Sequence, residues 1–113
     1  MQGDEYRVEF SPSEGAVRFE GTVRLQTSDD YAPITALLHQ AHAAAAGGSL
    51  SLDFRRLQFL NSSGISMISK FVINARKQDQ VALIVLGNSD IYWQQKSLGN
   101  LQKLWPKVTI EIG

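Results

Sequence analysis

The chain has 113 residues and a mass of 12.5 kDa, room for one small domain. With 43% hydrophobic and 19% charged residues it can bury a core without disulfides or metals, which excludes intrinsic disorder. Eleven Lys and Arg against eleven Asp and Glu leave no net charge, so no global field draws the chain to nucleic acid or an anionic membrane, and the lack of cysteine excludes disulfides, thiolate metal sites and cysteine nucleophiles.

The start, Met1-Gln2-Gly3-Asp4-Glu5, is acidic and lacks the basic residues and apolar run of a signal peptide. No apolar stretch approaches the ~20 residues of a membrane span. A soluble, cytoplasmic domain is expected, and the absence of cysteine fits a reducing compartment. Tyr6, Val8 and Phe10 alternate with Arg7 and Glu9, and after Gly15 a second alternation runs through Val17, Phe19, Gly21, Val23 and Leu25. Period two predicts half-buried strands, paired as a hairpin or as neighbours. Thr27-Ser28-Asp29-Asp30 supplies helix-capping side chains, and Pro33 is expected in the first helical turn, where a missing N–H is tolerated.

Ile34, Leu37, Leu38, Ala41 and Ala45 then mark an amphipathic helix, stopped by Gly47-Gly48. Leu50, Leu52 and Phe54 predict a short strand followed by a loop, and Ile65 to Gln78 carries helical periodicity. The apolar run Val81 to Leu86 suits a strand covered on both faces. A third helix is predicted over about 91–98, with Gly99 as its left-handed terminator, Asn100 opening a further turn and Pro106 closing it. Val108, Ile110 and Ile112 alternate as a last strand. The order ββαβαβαβ predicts an α/β domain with a mixed β-sheet packed against amphipathic helices and right-handed crossovers.

The segment richest in chemistry is Ser51-Leu52-Asp53-Phe54-Arg55-Arg56-Leu57-Gln58-Phe59-Leu60-Asn61-Ser62-Ser63-Gly64. Asn61 and Ser62 fall where an N-cap is expected, and Gly64 permits close backbone approach. Two readings fit: Asn61-Ser62-Ser63 merely caps a helix, or the helix N-terminus, with its unpaired N–H groups, faces an anion such as a phosphoryl group. At 100° per residue, Ile65, Ile68, Phe71, Val72 and Ala75 share a face that packs on the sheet. Ser62, Ser66, Ser69 and Ile73 lie opposite, flanked by Lys70 and Lys77. A serine stripe ending in an isoleucine and framed by two lysines suits a docking face; it equally fits a solvated face with one stray apolar residue.

Leu52-Asp53-Phe54, followed by Leu57, Phe59 and Leu60-Asn61-Ser62-Ser63-Gly64-Ile65, resembles the signature of the STAS family, the anti-sigma factor antagonists of bacterial partner switching. Gly21 falls where the family often has a glycine late in an early strand. Leu98-Gly99-Asn100-Leu101-Gln102-Lys103-Leu104-Trp105 is similar to the family's leucine, glycine, leucine, lysine pattern before the final strand. The resemblance implies a single STAS-like domain over 1–113, its core over about 16–112, without enzymatic activity. It implies that Ser62 is the phosphoacceptor of a dedicated kinase of the histidine-kinase ATPase type, which commonly doubles as an anti-sigma factor, and that a serine phosphatase reverses the modification. The unphosphorylated form would bind its partner through Asn61, Ser63, Gly64, Ser66, Ser69, Lys70 and Ile73. Asn61 stands where the commonest family pattern has Asp. That resembles a branch with leucine, asparagine and a hydroxyl residue, some members of which act through a diguanylate cyclase, and it removes a charge that a sigma-type partner would read.

Other constellations point elsewhere with less force. A STAS scaffold that is never phosphorylated, or one that binds a small anion, uses the same fold. An enzyme with Ser62 as nucleophile would need a base, and neither a G-x-S-x-G elbow nor a strand-end histidine is present. His39 and His42 lack a third metal ligand and read as a solvated pair. Gly87-Asn88-Ser89-Asp90 lacks the G-K-[ST] of a phosphate loop and reads as the cap of the third helix. Tyr92, Trp93 and Trp105 read as core or edge packing. No cofactor, metal, nucleic acid or membrane partner is expected.

Overall fold

The computed structural model describes residues 5–113; the acidic start at 1–4, which gave no sign of a signal peptide, lies outside them. The elements keep the expected order: β1 (Tyr6–Ser11), β2 (Ala16–Val23), α1 (Ser28–Ala44), β3 (Ser49–Leu60), α2 (Ser62–Gln78), β4 (Ala82–Gly87), α3 (Tyr92–Leu104) and β5 (Thr109–Ile112). The strands form one mixed sheet in the order β1-β2-β3-β4-β5. The β1–β2 hairpin is antiparallel, and the remaining neighbours are parallel. Among the described residues no helix is long and apolar enough to cross a membrane.

The helices line one face of the sheet, with α2 between α1 and α3. Val8, Val17, Phe19, Leu52, Leu83 and Val85 point into that layer and are buried. The opposite face is open and carries charge in two rows across the strands. Glu9, Arg18 and Asp53 align in one row and Arg7, Glu20 and Arg56 in the next, so each charge has an opposite neighbour. Burial along β4 therefore alternates, with Ile84 and Leu86 only half-buried. The expected two-sided coverage of this strand is corrected to one side, because the helices leave the second face to the charged rows.

Four further expectations change. β3 runs on to Leu60 instead of giving way to a loop after Phe54. Its pairing with β2 slips once between Arg18 and Glu20 and again between Gly21 and Thr22; each bulge inserts a residue, and together they return Leu57 and Leu60 to the buried face. Pro33 sits in the second turn of α1, not the first. Gly99 lies inside a continuous α3, because buried Leu98 and Leu101 on either side of it anchor the same helix to the core. The segment Gly87–Asp90 does not cap α3, whose N-cap, Ile91, makes no side-chain cap bond.

That segment is instead held by Gln94, which is fully buried. Its Oε1 accepts from the Asn88 N–H at 2.7 Å, and its Nε2 donates to the Phe54 carbonyl at 2.6 Å and the Leu57 carbonyl at 2.9 Å. One side chain thus pairs two β3 carbonyls beyond Asp53, where the register of β3 with β4 ends. Gly21, at φ +88°, answers a second backbone demand: a Cβ there would overlap the Glu5 carbonyl oxygen, which accepts from Thr22 N–H at 2.9 Å. Trp105 is buried and Trp93 is half-buried, donating from Nε1 to the Gln58 carbonyl at 2.8 Å. Tyr92, expected to pack, is 97% exposed.

Candidate functional site

The site is built where β3 ends and α2 begins. Asn61 is extended, with φ −75° and ψ 173°, and its Oδ1 caps the Gly64 N–H at 2.9 Å. The same oxygen accepts from the Tyr31 hydroxyl at 2.6 Å, while Nδ2 donates to the Leu25 carbonyl at 2.8 Å. Asn61 N–H donates to Val23, and its carbonyl accepts from Ile65 N–H. These partners fix the amide orientation, since one end must accept twice and the other must donate. A carboxylate could serve Gly64 and Tyr31 but has no hydrogen for Leu25, which gives a physical reason for asparagine at this position. Burial, above all, pushes the Tyr31 phenol up, so it stays a donor.

Gly64 is buried beneath this turn. A Cβ there would overlap Leu60 Cδ1 and come within 2.8 Å of the Tyr31 oxygen, so close packing of α1, β3 and α2 requires glycine. Asn61 and Gly64 were expected to contact a partner; the structure gives the first a half-buried side chain with three hydrogen bonds inside the chain and buries the second. Both residues shape the turn between β3 and α2.

Ser62, Ser63, Ser66, Lys70 and Ile73 are exposed and Ser69 is half-buried. The helical phase read from the sequence thus holds, with Met67 added to the buried face. Ser62 is the first residue of α2, and its hydroxyl has no hydrogen-bond partner among the described residues. The first turn carries no acidic residue, so the positive end of the helix dipole is uncompensated where that hydroxyl sits. Neither a carboxylate nor an imidazole hydrogen-bonds to Ser62 among the described residues. The hydroxyl is thus exposed and unbonded at the positive end of α2.

Asp53 lies at the other end of the motif, on the open face beside the first bulge. Its Oδ1 accepts from Arg55 N–H at 3.0 Å and Nε at 2.9 Å, and its Oδ2 faces Arg55 Nη2 at 2.8 Å. Burial opposes its charge, but these bonds, with the charges of Arg55 and Arg18, outweigh burial and hold the carboxyl below the usual carboxylate range. Asp53 locks the bulge that aims β3 at the Asn61 turn.

Between α1 and α2 runs a trough of about 750 Å³ that reaches Ser63 and Ser66. His39 closes its far end, and the His39 and His42 rings lie edge-to-face with Phe71, centroids 5.7 and 5.8 Å apart. Only His39 is solvated; His42 is buried with Nε2 unpartnered. Burial, then the nearby His39, pushes His42 down from its usual range. No group of three or more His, Asp or Glu residues among those described is placed to hold a metal. Sequence reasoning missed Tyr31 and Gln94, whose partners Asn61 and the Phe54 and Leu57 carbonyls lie 30 to 40 residues away along the chain and leave no local signal.

No family model matches the sequence, and no curated protein does. Solved structures do match in fold. A chain of the complex between the diguanylate cyclase SiaD and its activator SiaC from Pseudomonas aeruginosa is similar at 15% identity and a TM-score of 0.67, over 94% of this chain and 90% of that one. An anti-sigma factor antagonist from Mycobacterium paratuberculosis is similar at 17% identity and 0.59, over 92% and 83%. The Bacillus cell fate determinant SpoIIAA in its phosphorylated form is similar at 17% identity and 0.57, over 93% and 89%. The chain therefore has the STAS fold.

Proposed function

We propose that this STAS-fold chain is a bacterial partner-switching module, not itself an enzyme, whose affinity for a protein partner is set by phosphorylation of Ser62. The observation that carries the reading is the contrast between two adjacent residues. Asn61 is consumed by the fold, whereas Ser62 presents a free hydroxyl at the uncompensated N-terminus of α2. A phosphoryl group there would bring about −1.5 to −2 charges at pH 7, favourably placed against the helix dipole, so modification need not unfold the turn.

In the unphosphorylated state Ser62, Ser63, Ser66, Ser69, Lys70 and Ile73 form the contact surface, and Asn61 and Gly64 hold its shape. Ile73, 39% exposed, is its apolar anchor. The partners are a cytoplasmic kinase of the histidine-kinase ATPase type, with or without anti-sigma activity, and a serine phosphatase. Similarity in fold to a chain of the SiaD–SiaC complex and the asparagine before Ser62 favour a diguanylate cyclase as output over a sigma factor.

Intact mass and phosphopeptide mapping of protein from its native cell test the reading. A phosphatase-sensitive adduct on Ser62, lost in Ser62→Ala, is expected. Phosphate on Ser63, or an adduct that persists in Ser62→Ala, overturns the assignment. Protein that is never modified leaves the fold as an unswitched scaffold.

A further inference from the structure

We propose that the trough between α1 and α2 is a docking surface for an amphipathic helix of a protein partner, with a carboxylate on the rim of that helix. The inference goes beyond Ser62 and stands whether or not Ser62 is phosphorylated.

The trough exists because small side chains face each other across the two helices. Ala32 and Ala36, one turn apart on α1, oppose Ser63 and Ser66 on α2, over a floor of Tyr31, Met67 and Phe71. Tyr31 and Phe71 are buried, so the surface an occupant meets is mainly that of Ala32, Ala36, Ser63 and Ser66 on the walls. The lining runs from position 28 to 39 on α1 and from 63 to 74 on α2. At 1.5 Å per residue each wall is ~16 Å long, or about three helical turns. A small molecule of matching volume would ask for convergent polar groups on the floor. The floor's hydroxyl, that of Tyr31, is already donated to Asn61, so the shape and chemistry favour an apolar helix face.

Charge selects the rim. The trough is lined by Lys70 and His39 and by no carboxylate. Lys70 makes no ion pair among the described residues, whereas on the open face of the sheet Arg7, Arg18, Arg55 and Arg56 each pair with a carboxylate. The sheet face is neutralised within the chain and offers a partner little. Lys70 is left for a carboxylate from outside, and as an exposed charge it adds selectivity and encounter rate more than affinity. The floor also connects to the cap of α2, because Tyr31 hydrogen-bonds the Asn61 oxygen that holds Gly64.

The probes are two synthetic helical peptides of about fourteen residues, each with leucines at i, i+3, i+4 and i+7, one flanked by glutamates and the other by lysines. Each is titrated into the isotope-labelled full chain and monitored by amide resonances. Saturable shifts at Ala32, Ala36 and Ser66 are expected from the glutamate peptide, with the lysine peptide about fivefold weaker at low salt. Lys70→Ala should bring the two affinities together. Ala36→Trp, at an exposed position, should fill the trough and abolish the shifts; Ala32→Gln serves where its melting point shows that Ala36→Trp is misfolded. Absence of shifts in the trough, equal binding of both peptides to the wild type, or unchanged binding by the filled variant overturns the proposal. So does a dimer in sedimentation that Ala36→Trp dissociates, since the occupant is then a second copy. Peptide binding by a protein that is never phosphorylated in its cell refutes the Ser62 reading alone; a phosphorylated Ser62 beside an empty trough refutes this one alone.

Discussion

Asn61→Ala separates the fold of the site from its chemistry, because three contacts vanish with one side chain. Loss of the cap on Gly64 N–H costs about 1 kcal/mol. The Tyr31 hydroxyl, in a buried side chain, loses its acceptor, and stranding such a group costs ~1 to 3 kcal/mol. The Leu25 carbonyl, on a segment half open to solvent, can turn to water. The sum, roughly 2 to 4 kcal/mol, lowers the melting temperature by about 8 to 32 °C at ~4 to 8 °C per kcal/mol for a domain near this size.

Tyr31→Phe removes the hydroxyl's bond to Asn61 and leaves Asn61 still capping Gly64, so it costs only ~0.5 to 1.5 kcal/mol. The test is the double variant. Once Asn61 is alanine, the hydroxyl is a liability, and replacing Tyr31 with Phe should be neutral or stabilising. The two substitutions then couple by about 1 kcal/mol or more. Thermal and urea unfolding of the four proteins measures that coupling. Strict additivity would refute the idea that Tyr31 and Asn61 form one unit, and a small loss in Asn61→Ala would remove Asn61 as the organiser of the turn.

Ile73→Asp, at a half-exposed position pointing away from the sheet, should leave circular dichroism and melting within about 0.5 kcal/mol of wild type while weakening the partner complex; an unfolded variant would show the helical phase of α2 to be wrong. Gly99→Ala should stabilise by ~0.5 to 1 kcal/mol, because the position is helical and nothing lies within 4 Å of the added methyl; a lowered melting point would show that α3 breaks at Gly99 after all. His42, held below its usual range first by burial and then by His39, is protonated more readily in the unfolded chain. Its contribution is fully present above the unfolded value of about 6.5 and is lost as pH falls toward the lower folded value. Melting temperature should therefore decline as pH falls below about 6.5, and His42→Phe should flatten that decline. Asp53, also lowered in the folded state, contributes above the unfolded value of 3.8 and is lost only as pH falls below it. Acid loss in Asp53→Asn should therefore differ from wild type below about pH 4 and not in the His42 range.

The parts of this fold that sequence reasoning reads well are those whose signal is local. The β1–β2 alternation, the Thr27 cap and the outward phase of Ser62, Ser66, Ser69 and Ile73 each depend on neighbours within a turn or a strand. β3 resists the same reading because its buried residues Leu52, Phe54, Leu57 and Leu60 abandon period two at the bulges, and each bulge is fixed by pairing with β2 and by Gln94 from α3. Gly99 misleads for a related reason: its propensity says stop, and the burial of Leu98 and Leu101 overrides it.

At the asparagine before Ser62 a local motif meets a distant demand. From the sequence, Asn61 is a departure from the commonest pattern, a charge removed from a loop that a partner reads. In the structure the Leu25 carbonyl, 36 residues earlier, needs a hydrogen at that point, and of the two residue types only asparagine brings one while still capping Gly64 and accepting from Tyr31. Asn61→Asp would trade the Leu25 bond for a stronger, charged cap: a gain of ~0.3 to 1 kcal/mol at the helix end against ~1 to 3 kcal/mol for a carbonyl facing a carboxylate oxygen that occupies the space water takes in the alanine variant. The loss outweighs the gain while the carboxyl is ionised. Protonation supplies the missing hydrogen, so the Asp variant should recover stability relative to wild type as pH falls through its carboxyl range, in parallel melting series. A variant as stable as wild type at neutral pH would return Asn61 to the partner surface.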